Sequence, residues 1–347
     1  MEHSPHKTRR MEIRQFIVEK VRENTPHLTE AVKDHFKISR QAAFKHVNTL
    51  VKEGYLKATG KTNNRTYTFG AKRFLHFKTL INSSVSEDLI WSKNCLPLFQ
   101  GLKNNVIHIC EYGITEIINN AIDHSEGKHL EIGVDISPKE ISIHVNDDGI
   151  GIFNKIQREL KLSDPKLSIL ELAKGKYTTD PKKHSGEGVF FTSKMFDYFL
   201  IRSGGLAFSH TINIKYDALW DVEDVAKIGT HVTMILDPLT KRTTKAVFDK
   251  FTDRNMTFDK TIVPVELAKF EEGNLVSRSQ GKRLVARFEK FKNVVLDFTN
   301  INTIGRPFAD EVFRVFPSEH KNTNLVPINA NKEILDTIKS MKSGNAI

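Results

Sequence analysis

Between Ile114 and Ser125 the chain reads ITEIINNAIDHS, and further along Asn146 to Ile152 reads NDDGIGI. On a helix of about 3.6 residues per turn, positions three, four and seven apart share a face, so Glu116, Asn120 and Asp123 fall in one narrow stripe. The other side is apolar, with Val106, Cys110, Ile114, Ile117, Ala121 and Ile122 forming a core-facing surface. The fold must therefore bury one side of this helix and open a cavity along the other. The plain alternative is a helix whose polar residues are merely solvated.

The residues after this helix favour the cavity. LEIGVDI and ISIHVN read as strands, the second with Ile141, Ile143 and Val145 alternating inward, which puts Asp147 at a strand end. Asp148, Gly149, Ile150 and Gly151 then turn the chain, and the two glycines let its backbone approach a ligand closely. A polar segment from Phe153 to Ser185, including AKGKYTTDPKKHSGEG, has the composition of a mobile lid, and its lysines Lys174, Lys176, Lys182 and Lys183 are candidates for a phosphate contact. A helix from Val189 to Phe196, two strands in YFLIRSGGLAFSHTINIKY and a last strand in GTHVTMIL complete this unit.

Glu116-x-x-x-Asn120, Asp147-x-Gly149-x-Gly151, Gly186-x-Gly188 and Gly229-Thr230, in that order, resemble the boxes of the gyrase, heat-shock-chaperone, histidine-kinase and MutL (GHKL) ATP-binding superfamily. A lone DxGxG carries little weight, whereas four motifs in register are specific. The resemblance implies an α/β sandwich that binds ATP and Mg²⁺. It assigns Asp147 to the adenine amino group, Asn120 to Mg²⁺, Gly186 and Gly188 to the phosphates at a helix start, and Thr230 to the base and the support of Asp147. Gly149 and Gly151 would give the base room, and Asp123 would make a water-mediated base contact or serve only as a helix-end charge. Glu116 stands where gyrase-like members carry the carboxylate that activates the attacking water, whereas many sensor kinases carry asparagine there. Related serine kinases that bind sigma factors keep a similar glutamate, so transfer to a serine and slow ATP binding as a signal remain alternatives to hydrolysis.

The net charge of +10 is localised. Residues 1–80 hold 17 lysines and arginines against 7 acidic residues, a surplus equal to that of the whole chain. Such a basic segment is the electrostatic footprint of a nucleic-acid binder. Helical spacing of Ile13, Phe16, Ile17 and Val21, a short helix from Leu28 to Phe36, a third helix capped by Ser39 and stopped at Gly54, and a hairpin in YLKATGKTNNRTYTF resemble the winged helix-turn-helix of transcription regulators. On that resemblance Arg40, Gln41 and Lys45 lie at the start of the reading helix and Lys61 and Arg65 flank the wing tip, with duplex DNA as partner. The plainer reading is a small charged domain for protein contacts.

The chain of 347 residues suits two or three domains. The expectation is an α/β multidomain protein with a winged helix (α+β) over 1–70, a linker and packing helix over 71–104 with Trp91 as an anchor, the GHKL α/β sandwich over 105–238, and an α/β unit over 255–347. In the last, VVLDFTNINTIGRPFADEVFRVF resembles a STAS-like domain, the fold of anti-sigma-factor antagonists, without the phosphorylatable serine at Ile304 to Pro307. A protein partner is expected there, with Asp310 and Glu311 complementing the dipole at a helix start. No apolar run approaches the ~20 residues of a membrane span and no secretory signal is evident, so the cytosol is the expected compartment and a homodimer an open expectation. Cys95 and Cys110 read as core residues, not as a disulfide or metal site.

Overall fold

The structure, a computed structural model, describes residues 5–60, 65–177, 186–212, 218–222, 228–253, 257–269 and 274–343. The chain begins with helices α1 (Pro5–Arg22), α2 (Leu28–Phe36) and α3 (Arg40–Lys52), then an antiparallel hairpin of β1 (Leu56–Thr59) and β2 (Thr66–Phe69). The Ser39 hydroxyl accepts from Ala42 N at 3.1 Å and starts α3, which turns Ala43, Val47 and Leu50 inward. With Ile17, Val32 and Leu56 these side chains form a core separate from that of the rest of the molecule.

The segment expected to be a linker is a strand. β3 (Arg73–Leu80) pairs along its length with β4 (His129–Ile136) and is an edge of the main sheet. Its alternation explains why: Phe74 joins the N-terminal core while Leu75 joins the central one. Its basic residues concealed this pattern in the sequence, yet Arg73 reaches back to donate to the carbonyls of Leu98 and Gln100, each at 2.5 Å. α4 (Glu87–Ile90) continues through a π turn at Trp91–Cys95 and a 3₁₀ turn at Leu96–Phe99, burying Trp91 against Phe99.

The central unit comprises α5 (Asn104–His124), β4, β5 (Ile141–Asp147), α6 (Ile152–Leu160), α7 (Lys166–Lys174), α8 (Gly188–Met195), β6 (Tyr198–Ser203), β7 (Leu206–Thr211), β8 (Ala218–Asp221), β9 (Thr230–Leu236) and α9 (Thr244–Phe251). Its antiparallel seven-stranded sheet has the order β3-β4-β5-β9-β6-β7-β8. α5 lies on this sheet beside α8, with Val106, Cys110, Ile114 and Ile118 fully buried. The expected lid is ordered in its first half. Phe153 and Ile156 of α6 and every residue of α7 from Leu167 to Lys174 are buried, because their apolar residues recur at helical spacing between the polar ones. The remainder of that segment, 178–185, lies outside the described residues.

The C-terminal unit has a parallel sheet of β10 (Lys260–Pro264), β11 (Asn293–Asp297) and β12 (Asn324–Ile328), with α10 (Arg278–Val285), α11 (Arg306–Asp310) and α12 (Phe316–Glu319) in the connections and α13 (Lys332–Ser343) after the last strand. Gly305 and Pro307 start α11 earlier than expected, so Asp310 and Glu311 lie a turn inside the helix. There they meet Arg278, and Asp310 also pairs with Arg314. The apolar core of this unit is continuous with the central one: Phe190 and Phe191 of α8 meet Phe258, which meets Phe291. Among the described residues no helix is long and apolar enough to cross a membrane.

Candidate functional site

A cavity of about 310 Å³ opens between α5, α6, α8 and the sheet. Val145, Ile201 and Val232 supply apolar surface from β5, β6 and β9, while Glu116, Asn120 and His124 look in from α5. Asp147, Gly186 with Gly188, and Thr230 line it from three further motifs, so sequence-distant motifs converge on one space.

Each position has a local cause. β5 ends in the cavity wall and buries Asp147, whose Oδ1 accepts from Gly149 N at 2.9 Å and Thr230 N at 3.2 Å. Burial pushes this carboxyl above its ordinary range, and the two backbone donors oppose the shift. Its neighbour Asp148 faces outward, accepting from the amides of Lys128 and His129 at 2.7 and 2.8 Å and pairing with His129 Nδ1 at 2.6 Å. Thr230 Oγ1 accepts from Ile152 N at 3.0 Å, tying β9 to the start of α6.

On α5, Asn120 Nδ2 donates to Glu116 O at 2.7 Å, which commits the amide nitrogen to the helix and leaves its oxygen for other partners. The Glu116 carboxylate lies against the first residue of α8: a Cβ on Gly188 would collide with Glu116 Oε2, so any larger residue there would displace the carboxylate from this position. Beneath them, burial and then the charges of Glu116 and Glu187 push the Tyr112 phenol up. Gly149 has a different reason from the one read in the sequence, because its missing Cβ makes way for Ser125 O, which accepts from Ile150 N at 2.9 Å. Gly149 and Gly151 thus shape the turn and do not themselves line the cavity.

Asp123 is exposed and is not among the lining residues. A stripe on a straight helix drifts as the helix proceeds, and by the last turn of α5 the cavity side has passed to His124 and Ser125. Of the lid lysines, Lys174 is fully buried away from the cavity and Lys176 Nζ donates to Lys290 O at 2.8 Å, while Lys182 and Lys183 lie outside the described residues. The lysine in the wall is Lys155 of α6, 3.5 Å from Glu126. Tyr177 lines the wall as well. The helical period of IFNKIQREL, which sets Lys155 beside Ile152 and Ile156, was the signal for it.

In the N-terminal unit Gln41 and Lys45 are exposed on α3, and Arg40 Nε lies 3.0 Å from Glu30 Oε1. The Arg65 guanidinium stands over the rings of Phe44 and Tyr67, and Lys61 lies outside the described residues. Both cysteines are buried, and burial pushes the Cys95 thiol up to about 12, consistent with core residues. No group of residues suited to hold a metal by itself occurs among the described residues.

Comparison with known proteins agrees with this geometry. Residues 109–240 match the family of histidine kinase-, DNA gyrase B-, and HSP90-like ATPases. Residues 280–335 match a STAS-like domain of unknown function. No curated protein matches the chain. The first match spans α5 to β9 and thus encloses the cavity, and it points to ATP binding or hydrolysis there.

Proposed function

We propose that the protein is an ATP-hydrolysing, DNA-binding regulator of the cytosol, in which the nucleotide state of the cavity sets the disposition of the N-terminal and C-terminal units. The observation that carries the enzymatic part is the convergence of Glu116, Asn120, Asp147, Gly186, Gly188 and Thr230 on one cavity. Asp147, buried and held by two backbone donors, accepts from the adenine amino group; guanine, with a carbonyl in that place, would leave the carboxylate unpaired. The start of α8 directs backbone N–H groups and the positive end of its dipole at the phosphates.

Mg²⁺ fits the oxygen donors present, because the Asn120 amide turns its nitrogen to the helix and offers its oxygen; bound there it would neutralise phosphate charge. Glu116, across from Gly188, takes a proton from water as the water oxygen bonds to the γ-phosphorus and the bond to the β,γ-bridging oxygen breaks, releasing ADP and phosphate.

The DNA part rests on the charge surplus of residues 1–80, the order of three helices and a hairpin, and the exposure of Gln41 and Lys45 on the capped helix α3. This unit reads as a winged helix, with Arg40 at the reading helix and Arg65 near the wing tip. The STAS-like unit is then the place for a protein partner, and a dimer of the chain is compatible with this arrangement.

The test is ADP and phosphate release by the purified protein, with and without duplex DNA. Glu116→Gln is expected to bind ATP and release no phosphate, and Asp147→Asn to lose binding. Undiminished release from Glu116→Gln would remove its role, and radiolabel passing from ATP to a protein serine would convert the reading to a kinase.

A further inference from the structure

Where the central and C-terminal units meet there is a buried polar knot that apolar packing does not explain. Lys174, at the end of α7, is fully buried; its Nζ donates to Glu171 Oε1 at 2.6 Å and to the carbonyls of Arg283 and Ala286, each at 2.9 Å. From the C-terminal unit, Arg287 donates through Nη1 to Glu171 Oε2 at 2.7 Å, and through Nη2 to the carbonyls of Gly175 at 3.0 Å and Lys176 at 2.6 Å. Its backbone has φ of 68°, a left-handed conformation that a side-chain-bearing residue adopts at a cost.

This grip continues into the cavity. The Arg287 guanidinium stands 5.5 Å from the centroid of the Tyr177 ring. Tyr177 N donates to Gly186 O at 3.2 Å, and both residues line the cavity. The Tyr177 hydroxyl is buried with no hydrogen-bond partner among the described residues. One guanidinium of the C-terminal unit therefore fixes the two carbonyls that precede a cavity-lining residue, and that residue holds the glycine at the phosphate end.

We propose that Arg287 is a positioning residue for the nucleotide cavity, acting through Gly175, Lys176 and Tyr177, so that the C-terminal unit preorganises the wall formed by Tyr177 and Gly186. This rests on the nucleotide reading of the cavity and adds a residue to it from outside the ATPase-like region. A wall fixed in advance spares the ligand the entropy of ordering it, and small misplacements of such a wall cost binding and rate. Loss of the guanidinium leaves no orphaned charge, because Lys174 still neutralises Glu171.

The experiment titrates the full-length chain with a fluorescent ATP analogue and measures kcat and KM for phosphate release. Arg287→Met, which keeps the stem and removes the guanidinium, is expected to weaken binding and raise KM about tenfold, with Arg287→Lys between it and the wild type. Arg278→Ala, which removes the exposed guanidinium paired with Asp310 and Glu311 in the same unit, is expected to change neither. The losses from Arg287→Met and Tyr177→Ala are expected not to multiply when combined, since one acts through the other. Wild-type affinity in folded Arg287→Met, or losses that multiply, overturns the proposal. A reading that needs no variant is hydrogen exchange of the wild type: added analogue is expected to slow amides in 175–177 and in 283–291, and no change in 283–291 is equally fatal. Asp147→Asn, run in parallel, separates the two ideas: intact binding there defeats the nucleotide reading, whereas lost binding there beside unaltered Arg287→Met defeats this one alone.

Discussion

The N-terminal and C-terminal units are attached to the central sheet in different ways. The N-terminal unit keeps its own core, which takes in Phe74 of β3, and otherwise meets the sheet through a thin polar seam. In that seam Arg14 lies 4.1 Å from the ring centroids of both Tyr55 and Phe74, the Tyr55 hydroxyl donates to Asp135 Oδ1 at 2.7 Å, and Gln15 Oε1 accepts from His76 N at 3.2 Å. The C-terminal unit packs Phe258 against Phe190 and Phe191 of α8 and grips α7 through Lys174 and Arg287. One aromatic side chain with a seam of cation–π and single hydrogen bonds holds a body with a core of its own, whereas an extensively shared apolar core makes two units fold as one. The difference teaches that the C-terminal unit supports the cavity while the N-terminal unit is carried by its far edge.

The comparison breaks or holds on unfolding experiments. Phe258→Ala removes a buried ring that touches Phe190, Phe191 and Phe291, and a loss of about 3–5 kcal/mol is expected in the main calorimetric transition, with a separate N-terminal transition unmoved. If both transitions fall together, the two attachments are not different in kind. ATP with magnesium at a hundred times its dissociation constant is expected to stabilise the main transition by about 2.7 kcal/mol and the N-terminal one not at all. Arg14→Ala is the converse, with about 1 kcal/mol expected from the N-terminal transition alone. A shift of the main transition in that variant would show that the seam carries more than the contacts just described.

The same contrast separates what the sequence discloses from what it conceals. α2, α3 and the hairpin were legible because caps, apolar spacing and turn residues agree locally, as in Ser39 and Gly54. Glu116, Asn120, Asp147, Gly186, Gly188 and Thr230 were legible as a constellation because short motifs mark places where backbone or carboxylate must come close. β3 was not, because its partner lies far along the chain and half of its alternation serves a different core. Lys155 and Tyr177 were hidden by the polar composition of 153–185, in which two amphipathic helices pass for a loop. Lys174 and Arg287 were beyond reach, since a lysine and an arginine at ordinary surface spacing reveal burial only when the opposite unit is in place.

The finest test uses two adjacent aspartates, one buried in the cavity wall and one facing outward. Asp147 faces the cavity that the C-terminal unit backs, and Asp148 faces outward, tied to the start of β4 through Lys128 and His129. Burial raises the Asp147 carboxyl above its ordinary 3.8, so its contribution to stability is full below 3.8 and is lost as pH rises through the folded value. Asp148 feels some burial, but the amides of His129 and Lys128 and the His129 ring outweigh it and hold the carboxyl at about 2. Its contribution is therefore present above 3.8 and lost as pH falls toward about 2. Measured without nucleotide by denaturant unfolding between neutral pH and the acid limit of the fold, Asp148→Asn is expected to flatten the acid loss of stability and Asp147→Asn to steepen it. The two variants must move in opposite directions; if both flatten the profile, Asp147 is ionised at no cost in the folded chain and the buried recognition carboxylate is misassigned.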